Sequence, residues 1–150
     1  MPQGSVLGPL LFIIYTSKMF ELVENRLFAY ADDSTVLAAV HNPADMLQKE
    51  KAESLNRDLA RIQEWCNHCC MILNPHKTKA LVISRSRTVN IPHGDLVLSG
   101  VSIRASPNLD ILGVKFNGKL TFEDYVRDVV SRVSRRIRIL RLVKRIFVDT

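Results

Sequence analysis

Asp32 and Asp33 are neighbours in the chain, and two carboxylates side by side repel unless something positive comes between them. The residues before them, Leu27-Phe28-Ala29-Tyr30-Ala31, are β-prone, and so are those after, Ser34-Thr35-Val36-Leu37-Ala38-Ala39-Val40. Residues 27–40 therefore read as a hairpin with both acids at its tip. Such a tip suits a hard divalent cation, Mg²⁺ or Mn²⁺, which prefers carboxylate oxygens. An isolated Asp-Asp pair is more often a solvated turn, so its surroundings decide.

A second group of chemistry-bearing residues is Cys66-Asn67-His68-Cys69-Cys70. Zinc would need a second ligand pair at finger spacing, and none follows. Cys66 and Cys69 fall on the apolar side of a helical pattern and read as core. Three clustered cysteines do not make a disulfide framework, which fits a reducing, intracellular location in cytoplasm and nucleus. Residues 6–15 are too short an apolar run to span a bilayer, and the N-terminus lacks the pattern of a signal peptide.

The elements that must position these groups follow from periodicity. Residues 6–23 are apolar on almost every side and read as a buried helix, with Pro9 early enough to be tolerated. Asn42-Pro43 is a helix start, as N-cap and first helical residue. That helix should run to about residue 70, because Leu47, Leu55, Leu59, Ile62, Cys66, Cys69 and Leu73 recur at three- and four-residue spacing. Asn74-Pro75 ends the pattern. Residues 79–84 read as a strand, 84–95 as a loop, and 96–103 as a hairpin turning at Ser99-Gly100. Residues 110–116 read as a further strand. Thr121-Phe122-Glu123-Asp124 has the form of a capping box. The helix it opens has Val126, Val129, Val130, Val133, Ile137, Leu140 and Phe147 as its buried stripe. Hairpin connections and this order predict an α+β fold, an antiparallel sheet with helices on one face.

At 150 residues and 47% hydrophobic, the chain is large enough for one domain with a core. The net charge of +6 is concentrated: residues 127–145 hold eight Arg and Lys against one acid, Asp128. So many like charges on one helix repel unless an anion is near, which predicts phosphate contacts. A solvated face or an anionic membrane surface are the alternatives for a basic amphipathic helix.

The opening string Pro2-Gln3-Gly4-Ser5-Val6-Leu7-Gly8-Pro9-Leu10-Leu11-Phe12, followed by Tyr30-Ala31-Asp32-Asp33, resembles the palm of reverse transcriptases. More narrowly it is similar to the non-LTR retrotransposon branch, of the jockey type. The likeness continues at Leu73-Asn74-Pro75-His76-Lys77-Thr78-Lys79 and at Leu112-Gly113-Val114, so four motifs stand in the family's order. The resemblance implies a polymerase palm over 1–120 and the start of a helical thumb over 121–150. It implies an RNA-directed DNA polymerase, a nucleotidyltransferase that copies an RNA template from a DNA primer with deoxynucleoside triphosphates and Mg²⁺ or Mn²⁺.

By the same resemblance Asp32 is the metal-binding acid and Asp33 its less strictly required neighbour. Tyr30 and Ala31 would line the primer terminus. Gln3 and Gly4 would lie beside the incoming nucleotide. Lys77 would protonate the departing pyrophosphate as general acid, with Lys79 the other lysine that fits the motif. Leu112, Gly113 and Val114 would grip the primer; on their own they read as an apolar strand with a glycine bulge. Arg132, Arg135, Arg136 and Arg138 would contact the nucleic-acid backbone. Thr16-Ser17-Lys18 departs from the Ile-Asn-Asp of many relatives, which bears on how the first helix ends. The metal-binding Asp of motif A and the fingers belong upstream of this pattern. The chain by itself is therefore expected to lack polymerase activity, as an internal part of a longer element protein. The reading from another class is a non-catalytic nucleic-acid-binding remnant working through the basic helix.

Overall fold

Residues 6–23 form two helices, α1 (Leu7–Ser17) and α2 (Met19–Leu22), rather than one. In the computed structural model the described residues are 6–39, 45–84 and 96–148, with side chains for 6–39, 49–84 and 96–144. Near the break, Thr16 and Ser17 turn their hydroxyls back on the carbonyls of Phe12, Ile13 and Ile14, the habit that bends helices. The expected burial of this helix does not occur among the described residues. Leu7, Leu10, Leu11, Ile13 and Ile14 are all more than half exposed, and only Gly8 and Thr16 are buried. An apolar circumference predicts a helix that is covered, yet its own unit covers little more than one edge.

A hairpin follows, β1 (Arg26–Tyr30) and β2 (Asp33–Leu37), and then the long helix α3 (Asp45–His68). The Asn42-Pro43 start lies outside the described residues. Met19, Ile62 and Cys66 form one core cluster, against which Val23, Leu27, Val36 and Trp65 pack. Leu96, Leu98 and Ile103 form a second, packed against Leu55, Leu59 and Ala80. Leu73 joins both clusters, so α3 has the β1–β2 hairpin on one flank and a small hairpin on the other. The latter is β3 (Val97–Leu98) and β4 (Val101–Ser102), turning at Ser99-Gly100 as expected. Asn56 and Gln63 of α3 accept from the backbone amides of Val97 and Ser99.

The chain divides into two units, Met1–Ala80 with Val89–Ala105, and Leu81–Thr88 with Ser106–Thr150. The second contains β5 (Asn108–Ile111), β6 (Val114–Asn117) and α4 (Glu123–Val148). Residues 110–116, expected as one strand, thus fold back on themselves at Leu112-Gly113. Residues 79–84 form no strand; they offer an isolated bridge from Ala80 to Ala105, and the Ser84 amide donates to the Gly118 carbonyl. Thr121 is not the residue that precedes α4. Its hydroxyl accepts from Asn117, and Phe122, at a φ of +55°, occupies that place.

Lys115 and Asp128 pair at 2.7 Å, and the rings of Phe116 and Phe122 meet edge to face at 5.5 Å. These contacts hold the start of α4 to its hairpin. Most of the stripe expected to be buried is exposed: every described side chain from Val130 to Lys144 is open, with Val130 at 58% and Leu140 at 67%, while Val129 is half-buried and the Phe147 side chain lies outside the described residues. Among the described residues the strands make three two-stranded antiparallel sheets rather than one. The α+β class holds.

Candidate functional site

The ladder of the first hairpin pairs Arg26 with Leu37, Leu27 with Val36, Phe28 with Thr35, Ala29 with Ser34 and Tyr30 with Asp33. Ala31 and Asp32 are left as a two-residue loop. Ala31 takes a φ of +51°, the sign that primed hairpin turns require at their first central residue. Strand alternation puts Leu27, Ala29, Ser34 and Val36 on one face, the face that Leu27 and Val36 bury. Phe28, Tyr30, Asp33 and Thr35 share the other face, with Phe28 55% and Tyr30 68% exposed. Asp33 therefore closes the ladder beside an open aromatic face, and Asp32 sits in the loop next to it. Both acids are exposed.

Two carboxylates on a turn of this kind fit Mg²⁺ or Mn²⁺. Mg²⁺ keeps several waters and takes only one or two carboxylates when phosphate oxygens complete its shell. Among the described residues no group of three or more His, Cys, Asp or Glu could hold a metal. Asp32 and Asp33 are two exposed carboxylates, short of the three side chains such a group would need.

The root of the hairpin holds a group that the sequence reading missed. Asp58 of α3 is fully buried. Its carboxylate accepts from the Glu24 amide at 2.8 Å, the Asn25 amide at 3.0 Å and the Asn25 side-chain amide at 2.8 Å. Arg61 lies 3.8 Å away. Burial alone would raise the Asp58 pKa, but these hydrogen bonds and the Arg61 charge outweigh it and bring it below the usual carboxylate value. Around it, Ser54 accepts from Asn25, Arg57 and Arg61 pair with Glu24 at 3.1 and 3.0 Å, and Arg61 donates to the Leu22 carbonyl. The available signal was an acid one helical turn before Ile62, on the side of α3 that the apolar stripe claims.

Lys77 and Lys79 are both exposed, just past the end of α3. Asn74 builds the Lys77 turn: its side-chain oxygen accepts from the His76 and Lys77 amides, and its carbonyl from the Thr78 amide and hydroxyl. Cys66 is a core residue, 3% exposed, and burial pushes its thiol pKa up. Cys69 is half-buried and Cys70 exposed. Gln3 and Gly4 lie outside the described residues.

In the second unit Leu112 and Gly113 have φ of +50° and +81°, the two positive values of a type I′ turn. Gly113 is therefore the second turn residue, not a bulge. Leu112 is 58% exposed at the tip, in a conformation that leucine adopts under strain. Val114 begins the returning strand. Arg132, Arg135, Arg136 and Arg138 are all exposed on α4. Tyr30, Ala31, Asp32 and Asp33 are thus brought together on one hairpin of the first unit. Leu112, Gly113, Val114 and the four arginines belong to the second.

The family described as "Reverse transcriptase (RNA-dependent DNA polymerase)" matches residues 1–116. The "Probable RNA-directed DNA polymerase from transposon BS" of Drosophila melanogaster is 28% identical over 94% of this chain, which covers 16% of that protein. From the same organism, the "RNA-directed DNA polymerase from mobile element jockey" is 29% identical over 86% of this chain, covering 14% of that protein. The corresponding X-element polymerase is 27% identical over 91% of the chain. The chain thus spans about one seventh of the length of the curated relatives it matches, at 14–16%. No solved structure matches.

Proposed function

Because this chain belongs to the reverse transcriptase family, we propose that it forms the palm and early thumb of an RNA-directed DNA polymerase of a non-LTR retrotransposon. The observation that carries the reading is the hairpin register, which leaves Asp32 in the loop and Asp33 closing the ladder, both open to solvent. On this reading Asp32 and Asp33 hold Mg²⁺ or Mn²⁺ against the phosphates of a deoxynucleoside triphosphate. When bound, such ions activate the 3′-hydroxyl and neutralise charge on the leaving pyrophosphate.

The remaining roles belong to the chain's own side chains. Tyr30 and Ala31 flank the primer terminus, on the open face and at the strained end of the loop. Gln3 and Gly4 lie beside the incoming nucleotide. Lys77 gives the pyrophosphate a proton from Nζ, and the turn that Asn74 builds fixes its backbone. The tip Leu112-Gly113, with Val114, holds the primer. Arg132, Arg135, Arg136 and Arg138 neutralise phosphates of the template–primer duplex. Residues 1–120 are the palm in this scheme and 121–150 the thumb start.

Mn²⁺ titration of the isotope-labelled chain tests the site. Paramagnetic broadening should centre on the amides of residues 31–34 and vanish when Asp32 and Asp33 are both changed to Asn. Broadening centred elsewhere would remove the metal site and with it the polymerase reading of this hairpin.

A further inference from the structure

The two acids sit at the far end of a lever. Five paired residues at about 3.3 Å each separate the hairpin root from its tip, some 16 Å. A swing of only 10° at the root would carry the tip through about 3 Å, against the ~0.5 Å tolerance within which a metal or catalytic constellation works. Two strands alone are marginally stable, so something outside them must set the angle. Leu27 and Val36 bury one face against the core, but apolar packing has no direction of its own. Directional bonds are found at the root. There the Asp58 carboxylate takes the two consecutive amides of Glu24 and Asn25 and the Asn25 side chain, in the two residues before β1 begins.

We infer that Asp58 is a positioning residue: from inside α3 its carboxylate sets the direction in which the β1–β2 hairpin leaves the core, and so where Asp32 and Asp33 stand. A carboxylate is the side chain the place requires. All three groups facing it from the hairpin root are N–H donors, and a carboxylate is an acceptor on both oxygens. An amide at the same position would turn an NH₂ toward one of those donors and leave that pair unsatisfied in a buried site. The surface pairs of Glu24 with Arg57 and Arg61 are a different matter. They use the Glu24 side chain, whereas the bond to Asp58 uses its backbone. The inference rests on the metal-site reading of the hairpin only for its functional consequence; the geometry stands apart from it.

The experiment is a set of backbone residual dipolar couplings on the 150-residue chain and its variants, followed by Mn²⁺ titration of each. In D58N the couplings of residues 27–36 should shrink relative to those of α3, while those of residues 97–102 keep their values. Mn²⁺ affinity at the tip should fall about tenfold, the low end of what losing an orienting partner costs a metal site. Asn25→Ala removes one bond of the three and should move both readouts the same way by less; it decides the matter should D58N not fold. Glu24→Gln keeps the backbone donor and should leave the couplings unchanged. Folded D58N and N25A chains with wild-type couplings would overturn the inference, as would an E24Q chain as disturbed as D58N. A wild-type chain whose tip does not broaden with Mn²⁺ would sink the metal reading instead, and the couplings would still decide the role of Asp58.

Discussion

Replacing Arg132, Arg135, Arg136 and Arg138 by Gln should flatten the salt dependence of nucleic-acid binding by roughly one unit of slope per lost contact, and the structure sets the size of the effect. All four are exposed, and two acids in the first turns of α4 are engaged, Asp128 with Lys115 at 2.7 Å and Asp124 with Arg127 at 3.5 Å. At about 100° per residue, Arg132, Arg135 and Arg136 fall within an arc of roughly 100°, and Arg138 lies about 60° further round. One duplex can therefore meet three of them, or four if its backbone follows the helix. At about 0.9 per contact in log affinity against log salt, three to four contacts give a slope of about 2.7 to 3.6. Between 50 and 200 mM salt that is roughly a 40- to 150-fold loss of affinity, which the variant should be spared. Fluorescence anisotropy with two DNA duplexes of unrelated sequence reads it, and both should weaken equally because phosphate contacts carry no sequence information. A folded variant that binds with unchanged affinity and slope would reduce these arginines to a solvated face.

Three further outcomes follow from local geometry. Cys70 ends α3 at a φ of +54°, with the Met71 amide on the Cys66 carbonyl and the Cys70 amide on that of Asn67, so Cys70→Gly relieves a left-handed residue. It should stabilise the fold by about 0.5–1 kcal/mol in urea unfolding, and a loss of stability would contradict the strain. A Cβ on Gly118 would come within 2.8 Å of the Val82 carbonyl oxygen, so Gly118→Ala should cost about 1–3 kcal/mol and speed exchange of the Ser84 amide; unchanged exchange would refute the clash. The Asp58 pKa is lowered on folding, so the unfolded chain binds its proton first, and stability should fall as pH drops below the ordinary carboxylate range near 4. Glu24 beside Arg57 and Asp128 beside Lys115 are shifted in the same direction but stand at the surface, so D58N should flatten most of the acid limb.

The site hairpin was legible because its signal is local. Asp-Asp between two β-prone runs can hardly be anything but a turn, and the ladder closes within three residues of the expected ends. The Ser99-Gly100 turn was legible for the same reason. Leu112-Gly113 uses the same type of turn but puts a leucine where Asn or Asp would announce it, so the run read as one strand. Asp58 was illegible for a different reason. Periodicity counts apolar residues, and a buried carboxylate is recognisable only once the donors that satisfy it are in place, more than 30 residues away along the chain.

The two amphipathic readings show the limit of pattern more sharply. The spacing of Val126, Val130, Val133, Ile137 and Leu140 does draw a stripe along α4, and α1 is apolar nearly all round, yet both surfaces are open. Periodicity states which face of a helix gains by being covered; it does not state what covers it. On α4 the order of contacts along the helix makes the point. Val129 is half-buried, beside the Asp128 that Lys115 of β6 holds, and the described side chains from Val130 to Lys144 are exposed. The stripe and the arginines interleave over the same turns. At about 100° per residue they nonetheless lie on different sides of the helix, so a duplex on the arginines and an apolar partner on the stripe are separate cases. The glutamine variant separates these cases, because it removes charge and leaves every apolar side chain in place.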